Sequence, residues 1–226
     1  AYNLEKITED NKKLENIFDC FKQKSGTDEG IEITRRLYEA SLKIKNEYLK
    51  ISDSLDKGLV HGDAWFDNII QHYEPTENLI NSKINPSTKT KLIVIDVEDS
   101  GIGYRSMDIA VAISSMDGYN PKTGEFTEKA KMFLRGADEV KSLEENFEKN
   151  FNLLYANAAL YIANMRLDKY ANANPKRCPM SEVKKAEDAI KAHSDNKEVS
   201  LKGFLTIPTE SLMQTSPHII SRYELN

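Results

Sequence analysis

Three oxygen-bearing side chains in the middle of the chain have the types and spacing that phosphoryl transfer requires. Asp63 and Asn68 lie in the segment HGDAWFDN (61–68), and Asp96 lies in the segment IDVE (95–98). Phosphoryl transfer needs a group that orients the attacking hydroxyl and accepts its proton, together with oxygen ligands for the magnesium that neutralises the phosphates. These three side chains supply that set.

The local sequence predicts how these side chains meet. The loop that carries Asp63 and Asn68 lies between short β-branched runs and folds back between two strands, whereas Asp96 leaves the end of a neighbouring strand. Carboxylate and amide oxygens suit a hard cation such as magnesium, whereas zinc prefers clusters of His and Cys, which this sequence lacks. We therefore expect a magnesium site.

The remainder of the chain is predominantly helical, so the predicted fold class is α+β. The strands are expected at 69–73 and 92–96, with the polar segment 74–91 as a surface loop between them. Apolar residues recur at helical spacing elsewhere, and the longest such stripe indicates the spine of the domain. The predicted helices cover about 4–24, 37–52, 107–116, 125–137, 142–169 and 181–193.

These elements divide into consecutive parts of one lobe. Residues 1–57 form a helical start, and 58–116 carry the loop, the metal strand and the helix that follows. Residues 117–199 supply the C-terminal helices, and 200–226 show no convincing period and are expected to form an irregular tail.

The amino-acid composition indicates which partners and which cellular compartment to expect. There are 36 acidic and 31 basic residues with a formal net charge of -5, which disfavours nucleic acid as a main partner. Cys20 and Cys178 are far apart in the sequence and are expected to be ordinary thiols of a reducing compartment. No apolar run approaches a membrane span and no signal peptide is recognisable, so a cytoplasmic location is expected.

The combination of HGDxxxxN with IDxE resembles the signature of the aminoglycoside-phosphotransferase and choline-kinase-like superfamily. Protein kinases place the same types of functional residue in the motifs HRDxxxxN and DFG. Gly62 in place of Arg, and Asp-Val-Glu at 96–98 in place of Asp-Phe-Gly, favour the small-molecule branch. The resemblance covers about residues 55–170 and implies the C-terminal lobe of a protein-kinase-like fold, with a short β-hairpin carrying the catalytic loop and metal site.

Carried over by position, the resemblance implies a role for each residue of the motifs. Asp63 would be the catalytic base, and Asn68 and Asp96 would bind magnesium and, through it, the nucleotide. His61 would buttress the loop, and Glu98 would face the acceptor pocket. Asp108 would be a structural hydrogen-bond acceptor. The implied co-substrate is ATP.

The N-terminal lobe of that family is not recognisable in this chain. There is no GxGxxG, and its nearest match, Gly101-Ile102-Gly103, follows the metal strand instead of opening the fold. Residues 1–57 are predicted to be helical, whereas the lobe needs a β-sheet. We therefore expect this chain to be a C-terminal lobe. On its own it should turn over ATP negligibly, because the missing lobe positions the nucleotide and neutralises the charge of its phosphates.

Three functional hypotheses follow. The first is an ATP-dependent kinase that acts on a small alcohol such as homoserine, choline, ethanolamine or an aminoglycoside. The second is a pseudokinase-like binding module that keeps the fold without turnover. The third is an all-helical interaction protein, which requires that no strands pair around 69–73 and 92–96. Trp65 and Phe66 are interpreted as loop packing, and His72, His193 and His218 as surface or hydrogen-bonded histidines without a functional partner.

Overall fold

Helices form most of the structure, a computed structural model that describes residues 28–73, 90–140, 143, 145–173 and 180–201. The predominantly helical α+β class is confirmed. The predicted helix at 4–24, loop residues 74–89 and tail residues 202–226 lie outside the described residues. Among the described helices, none combines the length and apolar character needed to cross a bilayer. The helices are α1 (Asp28–Ile51), α2 (Arg105–Ser115), α3 (Glu128–Val140), α4 (Glu145–Ala173) and α5 (Met180–Ser194).

The strands form three separate antiparallel pairs. The pairs are β1 (Lys57–Val60) with β4 (Gly101–Tyr104), β2 (Ile69–Tyr73) with β3 (Thr90–Val94), and β5 (Tyr119–Asn120) with β6 (Glu125–Phe126). Pairing of β2 with β3 confirms the predicted hairpin and contradicts the all-helical hypothesis.

Two details of the strands differ from the prediction. The second strand of the hairpin begins at Thr90 and ends at Val94, because Asp96 takes a left-handed backbone conformation that cannot continue an extended strand. Strand β4 was not predicted, since two of its four residues are glycines, which have low strand propensity. Pairing along the full length of β1 overrides that propensity.

Helix α4 is the spine of the described structure, as the longest apolar stripe predicted. It contacts α1, α2 and α5. Its middle is buried on nearly every side, which is why both faces of the helix are apolar there. The buried residues include Phe151, Leu153, Leu154, Tyr155, Ala156, Ala158, Ala159 and Leu160.

An aromatic cluster attaches the β5–β6 hairpin to α4. The ring centroid of Tyr119 lies 4.9 Å from those of Phe126 and Phe151, and 5.0 Å from that of Tyr155. The Tyr119 hydroxyl donates a hydrogen bond to Asn152 Oδ1 at 2.8 Å. Burial raises the pKa of Tyr119 to about 12, so the hydroxyl keeps its proton at neutral pH. The hairpin is thereby fixed against the spine.

We expect Phe151→Ala to lower the free energy of unfolding by about 3–5 kcal/mol, because it leaves a cavity at the centre of this cluster. Urea denaturation followed by circular dichroism measures the change. The matched control is Lys149→Ala on the exposed side of the same helix, which should change stability by no more than about 0.5 kcal/mol. Equal effects of the two substitutions would contradict the assignment of Phe151 to the core.

Candidate active site

The loop that carries the predicted site residues is held in a fixed shape by its own backbone. It leaves β1 at Val60 and contains a tight turn, in which the Trp65 N–H donates to the Asp63 carbonyl oxygen at 2.7 Å. The Asn68 N–H donates to the Trp65 carbonyl at 3.0 Å, closing a 3₁₀ turn at Phe66–Asn68. The Ile95 N–H then donates to the Asn68 carbonyl at 2.9 Å. Asn68 therefore lies beside the residue that precedes Asp96.

Asp108, in the first turn of α2, binds the start of this loop. The His61 N–H donates to its Oδ2 at 2.5 Å, and the Gly62 N–H donates to its Oδ1 at 3.1 Å. Burial raises the pKa of Asp108 above its usual value, although the hydrogen bonds from these two N–H groups lower the pKa and offset part of that effect. The structural role that the resemblance implied for Asp108 is confirmed.

The His61 ring connects the loop to the end of β3. Its Nδ1 lies 3.3 Å from the Asp63 N–H and accepts from it, so Nε2 carries the ring hydrogen and donates to the Ile95 carbonyl at 2.8 Å. The Ser100 hydroxyl also donates to the His61 carbonyl at 3.2 Å. Both ring nitrogens are therefore occupied by backbone groups, and His61 acts as a positioning residue.

Asp63 holds one carboxylate oxygen ready for a ligand. Asn68 Nδ2 donates to the Asp63 carbonyl at 2.9 Å and lies 3.4 Å from its Oδ2. Asp63 Oδ1 is buried and accepts no hydrogen bond from the described part of the chain. A buried carboxylate oxygen without a donor is costly, so a hydroxyl or a cation that satisfied it would bind favourably. Because the Asn68 amide nitrogen faces Asp63, its Oδ1 is the atom of this side chain that could bind a cation.

Asp96 takes the left-handed conformation, with φ 60° and ψ 49°, at the start of the 3₁₀ turn Val97–Asp99. Aspartate tolerates this region better than most residues, and such outliers concentrate at functional sites. Ile95 is bonded through its N–H to Asn68 and through its carbonyl to His61, so the backbone before Asp96 is fixed on both sides. The backbone of Asn68 thus lies next to that of Ile95, the residue before Asp96.

The donor set fits magnesium better than a metal that needs many protein ligands. In the described ranges no three His, Cys, Asp or Glu side chains gather at metal-binding distance. Magnesium keeps several waters and is usually held by one or two carboxylates together with substrate phosphates. One amide oxygen and one exposed carboxylate, at Asn68 and Asp96, meet that requirement.

Gly62 allows the loop to approach the segment after β3 closely. Its φ is +81°, and a Cβ built on it would lie 2.2 Å from the Asp99 carbonyl oxygen. The sequence had identified Gly62 only as a departure from the protein-kinase motif. The structure supplies a steric reason for the glycine.

A small cleft lies between Trp65 of the loop and helices α2, α4 and α5. Its volume is about 200 Å³, and its walls include Trp65, Arg166 and Lys185. The Arg166 guanidinium lies over the Trp65 ring, 5.3 Å from the centroid, so Trp65 does more than pack the loop. Glu98 is exposed in the turn after Asp96 and does not line this cleft. The sequence assigned no role to Arg166 or Lys185, since nothing in their local pattern distinguishes them from surface residues.

We expect Gly62→Ala to lower the free energy of unfolding by about 2 kcal/mol or more, because the methyl group meets the Asp99 backbone and the φ is unfavourable for alanine. Gly136→Ala in α3 is the matched control. A Cβ there meets nothing within 4 Å, so it should raise stability by about 0.5–1 kcal/mol. Thermal unfolding of both variants shows whether each substitution raises or lowers stability. If Gly62→Ala raises it, the close approach of Gly62 to the Asp99 backbone is contradicted.

We expect Asp108→Ala to destabilise the chain by about 2–4 kcal/mol, because it leaves the N–H groups of His61 and Gly62 without their acceptor. The melting temperature should fall by roughly 5–15 °C. Asp53→Ala, at an exposed position, should leave it nearly unchanged. If the two variants have the same melting temperature, the Asp108 carboxylate does not stabilise the loop.

The sequence of this chain was compared with protein-family models and with curated proteins. No protein-family model matches its sequence. No curated protein matches it significantly.

Proposed function

We propose that this chain is the magnesium-binding and acceptor-binding lobe of an ATP-dependent kinase that phosphorylates the hydroxyl of a small polar metabolite. The single observation that carries the proposal is the buried Asp63 Oδ1 without a donor, beside an asparagine whose amide nitrogen already binds Asp63. An acceptor hydroxyl supplies the donor that this oxygen lacks. The same contact orients the hydroxyl for attack.

In the proposed reaction, the acceptor hydroxyl donates its hydrogen bond to Asp63. Its oxygen forms a bond to the γ-phosphorus of ATP while the bond from that phosphorus to the β,γ-bridging oxygen breaks. The proton passes to the Asp63 carboxylate, and the electron pair of the broken bond stays on ADP. When bound, magnesium neutralises charge on the phosphates, and Asn68 and Asp96 are the residues that would hold it. His61 and Asp108 keep the loop in place throughout.

Two pairs of exposed apolar residues support the expectation that a nucleotide-binding lobe outside residues 1–226 completes the site. Leu59 and Ile102, which oppose each other on β1 and β4, are 75% and 71% exposed. Ile70 and Ile93, which oppose each other on β2 and β3, are 45% and 43% exposed. Exposed apolar side chains on paired strands are candidates for contact with a partner. We propose that a nucleotide-binding lobe, together with the ATP that it binds, covers these two pairs.

Asp63→Asn tests the catalytic assignment in the protein that includes the nucleotide-binding lobe. The variant should transfer phosphate from ATP to alcohol acceptors about 10²–10⁴ times more slowly, because the amide cannot accept the proton. Transfer of labelled γ-phosphate to a panel of alcohols measures the rate. The matched control is Asp67→Asn, an exposed aspartate of the same loop, which should retain nearly full activity.

Two other outcomes would overturn parts of the proposal. A wild-type protein that binds its partners but transfers no phosphate with any acceptor would identify a pseudokinase-like binding module instead. Fast, Asp63-dependent transfer by residues 1–226 alone would show that no additional lobe is needed.

A further inference from the structure

The middle of the loop at 61–68 is attached to helix α4 through the side chain of Trp65. The Arg166 guanidinium of α4 lies over the Trp65 ring, 5.3 Å from its centroid. The backbone of Trp65 is bonded on both sides. Its N–H donates to the Asp63 carbonyl at 2.7 Å, and its carbonyl accepts from the Asn68 N–H at 3.0 Å. Arg166 therefore contacts the residue that links Asp63 to Asn68.

Arg166 is carried by a well-packed part of the fold. Ala159, Ile162 and Arg166 line the same cleft from α4, and their spacing of three and four residues places them along one stripe of the helix. Ala159 and Ile162 are 2% and 5% exposed, so this stripe is packed into the core up to the turn before Arg166. The position of Arg166 is thus set by the spine of the domain and not by the loop.

The Arg166 guanidinium has no competing partner that would draw it away from the ring. It forms no ion pair with a carboxylate of the described ranges. The other cation of the cleft is engaged elsewhere, because the Lys185 ammonium donates to the Asp117 carboxylate at 2.5 Å and to the Ser114 carbonyl. The face of a tryptophan ring attracts a cation more strongly than that of any other side chain. The attraction of Arg166 is therefore directed at Trp65.

Contacts with α2 and with the end of β3 hold the two ends of the loop. Asp108 binds the N–H groups at its start, and the Ile95 N–H binds the Asn68 carbonyl at its end. Asp63 lies between these ends, and a displacement of about 1 Å can cost a reaction about 10² in rate. The contact at Trp65 supports the part of the loop between its two fixed ends.

We propose that Arg166 is a positioning residue for phosphoryl transfer, an assignment that rests on the proposed kinase function. Its guanidinium holds the Trp65 ring against α4, and the ring holds the backbone turn from Asp63 to Asn68 in the geometry that the acceptor hydroxyl meets. Arg166 acts through Trp65 and touches neither the acceptor nor the nucleotide. Its loss should therefore lower kcat without changing KM.

Steady-state kinetics of the protein that includes the nucleotide-binding lobe tests this role, with the fastest acceptor of the alcohol panel. Arg166→Gln should lower kcat about three- to thirtyfold, the range for a cation over a half-buried ring, and change each KM by less than about twofold. Arg166→Lys keeps a cation and should recover part of the rate. The matched control is Lys169→Gln, which removes an exposed positive charge from the same helix and should leave kcat unchanged.

A double-mutant cycle tests whether Arg166 acts through Trp65. Trp65→Phe retains an aromatic face and should keep most of the rate, whereas Trp65→Ala should reproduce the loss seen with Arg166→Gln. Combining Trp65→Ala with Arg166→Gln should add little further loss, because the two side chains serve one contact. Losses that multiply in the double variant would show that the two residues act independently and would contradict the proposal.

Hydrogen exchange on residues 1–226 gives a reading that needs no turnover. Protection of the Trp65 and Asn68 amides, followed by NMR, should fall about three- to thirtyfold in Arg166→Gln. Protection of core amides such as that of Leu154 should not change. Trp65 is the only tryptophan of the sequence, so quenching of its fluorescence by acrylamide should increase as the ring is released.

The inference is overturned if Arg166→Gln changes kcat or the loop amides no more than Lys169→Gln does. It is also overturned if Arg166→Gln raises a KM without lowering kcat, which would make Arg166 a substrate-binding group. Transfer that depends on Asp63 but not on Arg166 keeps the kinase and rejects the positioning role. Loss of loop protection in a protein that phosphorylates no alcohol keeps the effect of the contact on the loop, but rejects the kinase and with it the catalytic role of Arg166.

Discussion

One ion pair and two backbone hydrogen bonds at the first turn of α2 fix strand β1 and the start of the loop that follows it. At the start of β1, the Arg105 guanidinium binds the Asp56 carboxylate at 2.5 Å. At its other end, the Asp108 carboxylate binds the N–H groups of His61 and Gly62. A strand of only four residues is thus held at both ends by one turn of helix. The positive end of the helix dipole also favours the Asp108 charge and offsets part of its burial cost.

Chain connectivity explains why these contacts can form. Strand β4 ends at Tyr104 and α2 begins at the next residue, so the first turn of the helix lies at a fixed distance from β4. Because β1 pairs antiparallel with β4, Lys57 lies opposite Tyr104 at the start of α2, and His61 leaves the other end of β1, where the Asp108 carboxylate binds its N–H. The site therefore depends on the β1–β4 pairing as much as on the loop residues.

The sequence predicted the parts of this arrangement that rest on local signals. Most described helices with apolar residues at three- and four-residue spacing were located within a few residues, although α1 begins at Asp28, nine residues before the predicted start, and the β2–β3 hairpin followed from β-branched runs. The spacing of Asp63 and Asn68 predicted that they meet, and their hydrogen bond shows it. The missed features depend on contacts between distant segments, which leave no local periodicity.

The missed contacts illustrate that limit. Strand β4 contains Gly101 and Gly103, so only its pairing with β1 makes it a strand. His193 was interpreted as a histidine without a functional partner, and in the fold it binds Glu47, which joins α5 to α1. The contact of Arg166 with Trp65 spans a hundred residues of sequence and requires α4 to cross behind the loop. Such pairs are fixed by packing and not by local preference.

The loop at 61–68 contacts two parts of the fold, and the proposed chemistry uses both. Asn68 accepts the Ile95 N–H at the end of the loop, next to the exposed Asp96, where a solvated cation could approach. Trp65 places its ring against the Arg166 guanidinium of α4. Asp63 belongs to the same loop, with one oxygen engaged by Asn68 and one that has no donor among the described residues. Because hydrogen bonds within the loop and from Ile95 hold its backbone, the proposed acceptor hydroxyl would meet a carboxylate whose backbone position is already set.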